Sequence, residues 1–198
     1  MNTRESPLPA AFLARAVAVV AAAACVTGCI PMAAVGVTQV AVVANDRRTT
    51  GVQVDDETIE LKVTTTAGDR WGGDVHVNVT SYNGNVLLSG EAPTPEIRGE
   101  VVKLAKSTDR VRNVYDEMVV APVADLGDRS NDTFITSKVK SRMVENDLVK
   151  ALYVKVVTER RVVYLMGIVS REEGETAARI AATTDGVARV VKLFEYTN

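Results

Sequence analysis

Few residues in this chain are of types that carry out chemistry. The sequence has a single histidine, His76, and two cysteines, Cys25 and Cys29. It shows no nucleophile elbow, no phosphate-binding loop and no recognised metal-ligand spacing. The paired acids Glu172 and Glu173 stand at the start of a predicted helix, where the helix dipole accounts for them. We therefore expect no enzymatic activity, no catalytic residue, no cofactor and no metal.

His76 lies in a stretch in which valines alternate with polar residues. Alternation of this kind is typical of a half-buried strand. His76 belongs to the polar set with Asn78 and Thr80, so the pattern predicts a solvated histidine on the outer face of a sheet.

Cys29 follows a segment with the features of an export signal. Arg4 and Arg15 supply positive charge, and the apolar run 16–25 is shorter than the ~20 residues of a membrane-spanning helix. The sequence Val26-Thr27-Gly28-Cys29 resembles the bacterial lipobox. This resemblance implies that residues 1–28 are a signal peptide and that Cys29 carries the acyl anchor, palmitate included. The alternative is a buried structural cysteine.

The lipobox resemblance also implies a location. In Gram-negative lipoproteins an aspartate after the acylated cysteine favours the inner membrane, whereas this chain has Ile30. We therefore expect an anchor in the inner leaflet of the outer membrane, facing the periplasm. Residues 29–50 are predicted to form the acylated tether, and two or more acyl chains give stable anchoring.

The overall charge argues against a nucleic-acid partner. The net charge is −2 over 198 residues. Nucleic-acid-binding domains normally show a basic face and a high isoelectric point.

From residue 55 onward the chain repeats itself. Three pairs of segments align at an offset of 76 or 77 residues: Asp55–Val63 with Asn131–Val139, Val86–Gly90 with Val163–Gly167, and Asp109–Val114 with Asp185–Val190. Matched blocks at one offset indicate two copies of one small domain. We place the copies at residues 51–121 and 130–198, with a linker at 122–129.

Each copy is predicted to run helix, strand, strand, helix, strand. Asp55 or Asp56 is the expected N-cap of the first helix, and Asn131 or Asp132 has the same place in the second copy. Asn83-Gly84 predicts a tight hairpin turn. We expect an α+β fold in which each copy has a three-stranded mixed sheet with two helices on one face.

Several stretches of the repeat resemble the BON domain of bacterial envelope proteins. They are Val52–Asp56, Ser130–Thr136 and Leu165–Gly167. Gly90 and Gly167 close the second strand of each copy, and we expect them to be structural residues that relieve crowding where strand meets helix.

Two tandem copies behind a lipobox resemble the dual-BON outer-membrane lipoproteins. The resemblance implies binding to anionic phospholipids such as phosphatidylglycerol and cardiolipin, accumulation at division sites and support of membrane integrity. It also implies that the first helix of the second copy contacts lipid through an aromatic near its start, which here is Phe134. A member of that family carries tryptophan at this position, and phenylalanine lacks the indole N–H that favours the interface.

Helical periodicity by itself divides that segment into two faces. With ~100° per residue, Ile135, Val139 and Met143 share one face and are predicted to be core. The predicted phospholipid-binding residues lie on another face or beside the hairpin turn, namely Phe134, Lys138, Ser141, Arg142 and Tyr82. Alternatively, Phe134 packs against the first copy or the linker, and Tyr82 packs across its own sheet.

The sequence thus predicts a non-enzymatic, lipid-binding lipoprotein of the outer membrane. The alternative is an adaptor for envelope assembly proteins or for a peptidoglycan-remodelling machine, in which the Phe134 face binds a protein.

Overall fold

The computed structural model describes residues 46–197. The predicted signal peptide, Cys29 and most of the predicted tether lie outside the described residues. In chain order, the helices and strands are α1 (Thr50–Trp71), β1 (His76–Tyr82), β2 (Asn85–Ala92), α2 (Pro95–Lys106), β3 (Asn113–Asp116), β4 (Val119–Val120), α3 (Leu126–Val144), β5 (Lys155–Glu159), β6 (Val162–Val169), α4 (Arg171–Ala182) and β7 (Arg189–Tyr196). Short 3-10 turns, Gly72–Asp74 and Ala151–Tyr153, precede β1 and β5.

The two copies have the same topology. In the first, β1 pairs antiparallel with β2, and β3 and β4 run parallel to β2 one after the other. In the second, β5 pairs antiparallel with β6, and β7 runs parallel to β6. Two helices accompany each mixed sheet, which confirms the predicted α+β architecture. The first sheet has four strands and not the expected three, because the predicted third strand is divided into β3 and β4.

Each copy has its own hydrophobic core between its helices and one face of its sheet. The first contains Ile59 and Val63 of α1, Val86 and Leu88 of β2, and Val101 of α2. The second is built at the matching places from Ile135, Val139 and Met143 of α3, Val163 and Leu165 of β6, and Ala177 and Ile180 of α4. The predicted core stripe of α3 is therefore confirmed.

The other faces of the two sheets pack against each other. Tyr82 and Leu87 of the first copy and Tyr164 and Met166 of the second form a buried cluster. Burial between the sheets raises the pKa of Tyr164 to about 12. The central strands are therefore covered on both faces, which explains why every residue of β2 is buried. The layers run helix, sheet, sheet, helix, and residues 46–197 belong to one compact unit.

The first helix of each copy begins earlier than the sequence suggested. Thr49 caps α1 by accepting from the Val52 amide at 3.3 Å, and Asp125 caps α3 by accepting from the Asp128 amide at 2.9 Å. The predicted caps, Asp55 or Asp56 and Asn131 or Asp132, are therefore wrong.

Asp56 and Asp132 instead tie these helices to the hairpin turns. Asp56 accepts from the amides of Asn83 and Gly84 at 2.7 and 2.8 Å. Asp132 accepts from the amides of Arg160 and Arg161 at 2.7 and 2.9 Å. All four turn residues have positive φ, which directs their N–H groups toward the helix. A buried carboxylate is stable here because its hydrogen bonds replace those of water.

The end of the chain follows the sequence pattern more closely. Ser170 caps α4, and a full capping box with Glu173 is present, as the spacing predicts. No helix within residues 46–197 has the length and apolarity needed to cross a bilayer.

Candidate functional site

Phe134 lies on the outer face of α3. Its neighbours Ile135 and Val139 are fully buried in the core of the second copy. Because one residue step turns a helix by ~100°, burying Ile135 rotates Phe134 away from the core. The ring is 61% exposed, so Phe134 does not pack against the first copy or the linker. The corresponding residue of α1 is Thr58, and the aromatic is therefore a feature of the second copy.

Lys138 lies one turn along the same face. Its ammonium is 4.8 Å from the centre of the Phe134 ring, within cation–π range. It also lies 3.3 Å from a carboxylate oxygen of Asp185, a side chain that is almost fully solvated. Ser141 is exposed further along the helix. The structure thus brings three of the predicted lipid-binding residues together on one surface.

Arg142 was predicted to bind phospholipid, but its guanidinium is held by other protein groups. Its guanidinium donates to the carbonyl oxygen of Ile180 at 3.0 Å and to the hydroxyls of Thr184 and Thr183 at 2.7 and 3.1 Å. These acceptors lie at or just beyond the C-terminal end of α4, where carbonyl groups lack helical partners and attract cations. Arg142 therefore joins α3 to α4.

Tyr82 is also misplaced in the sequence-based site. It is only 3% exposed because it lies between the two sheets. The guanidinium of Arg48 stacks on its ring at 3.9 Å, and its hydroxyl donates to Asp46 at 3.5 Å. The prediction that Tyr82 contacts lipid is wrong. It packs between the two domains, as well as within its own sheet.

Exposed apolar residues that the sequence analysis missed extend the surface. Val144 at the end of α3 is highly exposed, as are Leu148 and Leu152 just beyond it. By helical geometry Val144 lies about 80° around the helix and about 15 Å along it from Phe134. The exposure of Val144 could have been predicted from the sequence, because Val144 does not fall on the core stripe of α3.

Gly90 and Gly167 accommodate a close approach of neighbouring backbone. A Cβ atom at Gly90 would lie 2.2 Å from the carbonyl oxygen of His76, and one at Gly167 equally close to that of Tyr153. The structural role is as expected, but the crowding comes from backbone at or just before the start of the paired strand and not from the following helix.

His76 is not a solvated histidine. Its side chain is mostly buried, and Nδ1 lies 3.0 Å from a carboxylate oxygen of Glu91 on β2. The prediction missed this because the outer face of β1 is covered by the second copy. Glu159 of that copy is nearby, and burial raises the pKa of its carboxyl group.

Both repeats of this chain match a known protein family. The family model for the BON domain matches residues 55–122 and 131–198. The chain belongs to the BON-domain family. Each of the two repeats is one BON domain, in the tandem arrangement that the sequence predicts.

Curated relatives of this BON protein cover most of its length. Outer membrane lipoprotein DolP of Haemophilus influenzae is 39% identical over 171 residues, which is 85% of this chain and 89% of the relative. The 21 kDa hemolysin of Actinobacillus pleuropneumoniae is 36% identical over 76% of this chain and 79% of its own. Osmotically-inducible protein Y of Escherichia coli is 32% identical over 69% of this chain and 70% of its own length.

These similarities support the coarse features of the sequence-based prediction. The chain is a dual-BON protein of the DolP type, and the relationship supports an outer-membrane lipoprotein. None of the three names is that of an enzyme.

Proposed function

We propose that this BON protein binds anionic phospholipid of the outer membrane through the exposed face of α3, with Phe134 as the inserting side chain. One observation carries the proposal: a 61% exposed aromatic ring projects from a helix anchored by buried neighbours, with a lysine ammonium 4.8 Å from the ring. An apolar side chain beside cations suits the boundary between acyl chains and phosphates.

The contact is moderate in strength by itself, and the anchor reinforces it in the cell. Burying a phenylalanine side chain contributes about 1.5–3 kcal/mol, and a basic residue near an anionic surface about 1 kcal/mol. Tethering by an acylated Cys29 raises the local concentration of the domain at the bilayer, so a contact of this size is sufficient.

The charge arrangement predicts a modest dependence on salt. Lys138 has to exchange Asp185 for a lipid phosphate, and the guanidinium of Arg142 is occupied by α4. Val144 and Leu148 supply further apolar area instead. The binding energy therefore comes more from the apolar side chains than from the cations.

The wider role follows the family resemblance. We propose that lipid binding supports outer-membrane integrity and enriches the protein at division sites. Imaging of a fluorescently tagged copy in dividing cells tests the second point; uniform labelling of the envelope contradicts it.

Vesicle sedimentation tests the lipid contact directly. Residues 45–198, which lack the acylated cysteine, are expected to sediment with vesicles containing phosphatidylglycerol or cardiolipin. Phe134→Ala should lower the vesicle-binding constant about tenfold or more, because at least about 1.5 kcal/mol of burial is lost. Leu61→Ala is the matched control, since Leu61 is 69% exposed on the first helix of the other copy.

The possible outcomes separate lipid from protein binding. Equal binding of wild type and Phe134→Ala removes the ring from the site. If no vesicle binds but a crosslinker at position 134 captures an envelope assembly protein in cells, the α3 face is a protein-docking surface and the adaptor function replaces lipid binding.

A further inference from the structure

Two side chains of the first hairpin and one of the second meet where the two BON domains join. They are His76 on β1, Glu91 on β2 and Glu159 on β5. Nδ1 of His76 is 3.0 Å from one oxygen of Glu91 and 4.0 Å from one oxygen of Glu159. One ligand atom from each residue can be chosen so that all three lie within 4.8 Å of one another.

We propose that His76, Glu91 and Glu159 form a binding site for a divalent transition-metal ion, best suited to Zn²⁺, that bridges the two BON domains. Zinc takes imidazole nitrogen and carboxylate oxygen ligands at about 2.0–2.2 Å, which places tetrahedral ligand atoms about 3.3–3.5 Å apart. The distances from Nδ1 of His76 to the two carboxylate oxygens, 3.0 and 4.0 Å, lie on either side of this separation. Small side-chain rotations therefore complete the site. Mg²⁺ and Ca²⁺ prefer ligand sets made of oxygen alone.

The charges of the three residues and of the neighbouring Arg160 are compatible with a bound cation. Glu91 is fully buried and Glu159 nearly so, and two buried carboxylates repel each other strongly. Arg160 faces them and lies 3.3 Å from the second oxygen of Glu91, but its side chain is 51% exposed. It therefore supplies a partly screened charge, and it can hold the ligating carboxylate in place as outer hydrogen-bond partners of metal ligands do.

The internal duplication shows that the fold does not require acidic or imidazole side chains at these three positions. The register of the hairpins matches His76, Glu91 and Glu159 to Tyr153, Ile168 and Tyr82 of the opposite copies. That second set closes the other end of the interface with aromatic and aliphatic side chains, on which Arg47 and Arg48 stack. Since burying charges costs free energy that apolar side chains do not, the charged set is expected to have a ligand.

Solvent can reach the site. A cavity of about 510 Å³ is lined by His76 and Glu159 together with residues of α3. It provides an entry path and space for a water molecule as the fourth zinc ligand.

Zinc titration of the full chain carrying Cys29→Ser, which has no acyl group, tests the proposal. Calorimetry should show one saturable Zn²⁺ site per chain. Zinc at about 100-fold over the dissociation constant should raise Tm by roughly 5–10 °C. Glu159→Gln, which keeps the side-chain shape, should weaken zinc binding by more than about 100-fold.

The matched control is Glu195→Gln, because Glu195 also joins the two domains but lies outside the cluster, bonded to Asn83 and Asn85. This variant should bind zinc like the parent chain. If Glu159→Gln fails to fold, His76→Gln takes its place. Absence of a saturable zinc site in the parent chain, or equal affinity in the Glu159→Gln or His76→Gln variant, overturns the proposal. Neither result bears on Phe134, which lies on a different surface of α3.

Discussion

At the residue scale, the two strand glycines show how little space the paired backbone leaves. A Cβ atom at Gly167 would overlap the carbonyl oxygen of Tyr153 at 2.2 Å. The obstacle is backbone, so it cannot rotate away as a flexible side chain would. Gly68 in α1 presents the opposite case, since nothing lies within 4 Å of the position of its Cβ.

We therefore expect Gly167→Val to destabilise the protein by about 3 kcal/mol or more. Gly68→Ala should instead stabilise it by about 0.5–1 kcal/mol, because alanine loses less backbone entropy in a helix. Urea unfolding followed by circular dichroism measures both. A Gly167→Val protein as stable as wild type would show that the strand can move away from Tyr153.

At the scale of secondary-structure elements, the segment before α1 and the start of α4 are joined by a single arginine. Arg47 donates to both carboxylate oxygens of Glu173 at 2.8 and 2.9 Å and to the carbonyl oxygen of Ile168 at 2.7 Å. Its guanidinium stacks on Tyr153 at 4.1 Å. A bidentate pair of this kind is more specific than an ordinary surface ion pair. The last residues of the predicted tether, Arg47 among them, thus hold the second BON domain.

The Arg47–Glu173 pair predicts a pH dependence. Hydrogen bonding to Arg47 lowers the pKa of Glu173 below its usual 4.5. The pair therefore contributes its full stability above pH 4.5 and loses it as the pH falls through the folded-state pKa. Arg47→Ala should lower stability by about 1 kcal/mol at pH 7. Thermal unfolding from pH 7 to pH 3 should show that the variant loses less stability below pH 4.5 than wild type.

Lys192→Ala provides the comparison for this measurement. Lys192 of β7 pairs in open solvent with Glu175, which is on the same helix as Glu173. Lys192→Ala should change the pH profile far less than Arg47→Ala. Identical pH profiles for wild type and Arg47→Ala would show that the pair does not act in solution.

At the scale of the whole molecule, the two domains share a buried interface that neither can cover alone. Leu87, Tyr164 and Met166 are each at most 3% exposed and belong to one cluster between the sheets. A BON domain of about 70 residues buries little core by itself. Separation of the domains would expose the outer face of both sheets to water, so folding of the two copies is expected to be coupled.

Leu87→Ala tests this coupling. The substitution should cost about 2–5 kcal/mol, as truncations of buried leucine do, and unfolding should remain a single transition seen equally by probes in both domains. Val101→Ala, in the separate core of the first domain, is the reference. Two resolved transitions in Leu87→Ala would mean that the domains unfold independently.

Local sequence periodicity by itself determined the domain repeat and the buried and exposed faces of α3. The repeated blocks predicted two copies of one α+β domain, the 3.6-residue pattern identified Ile135, Val139 and Met143 as core, and the same pattern left Phe134 outside. These features depend on contacts within one helix or one hairpin, so a short stretch of sequence contains the information.

The tertiary structure alone decided which outward-facing residues meet. Tyr82 and His76 lie on the polar or outer side of their strand, and the sequence predicted contact with lipid or solvent for them. Packing of the second sheet over the first buries both and brings Glu159 to His76. Arg142 likewise turned to α4. Each outcome depends on residues that are distant in the sequence, since 38 positions separate Arg142 from Ile180 and 83 separate His76 from Glu159. No periodic pattern in one copy specifies what covers its outer face.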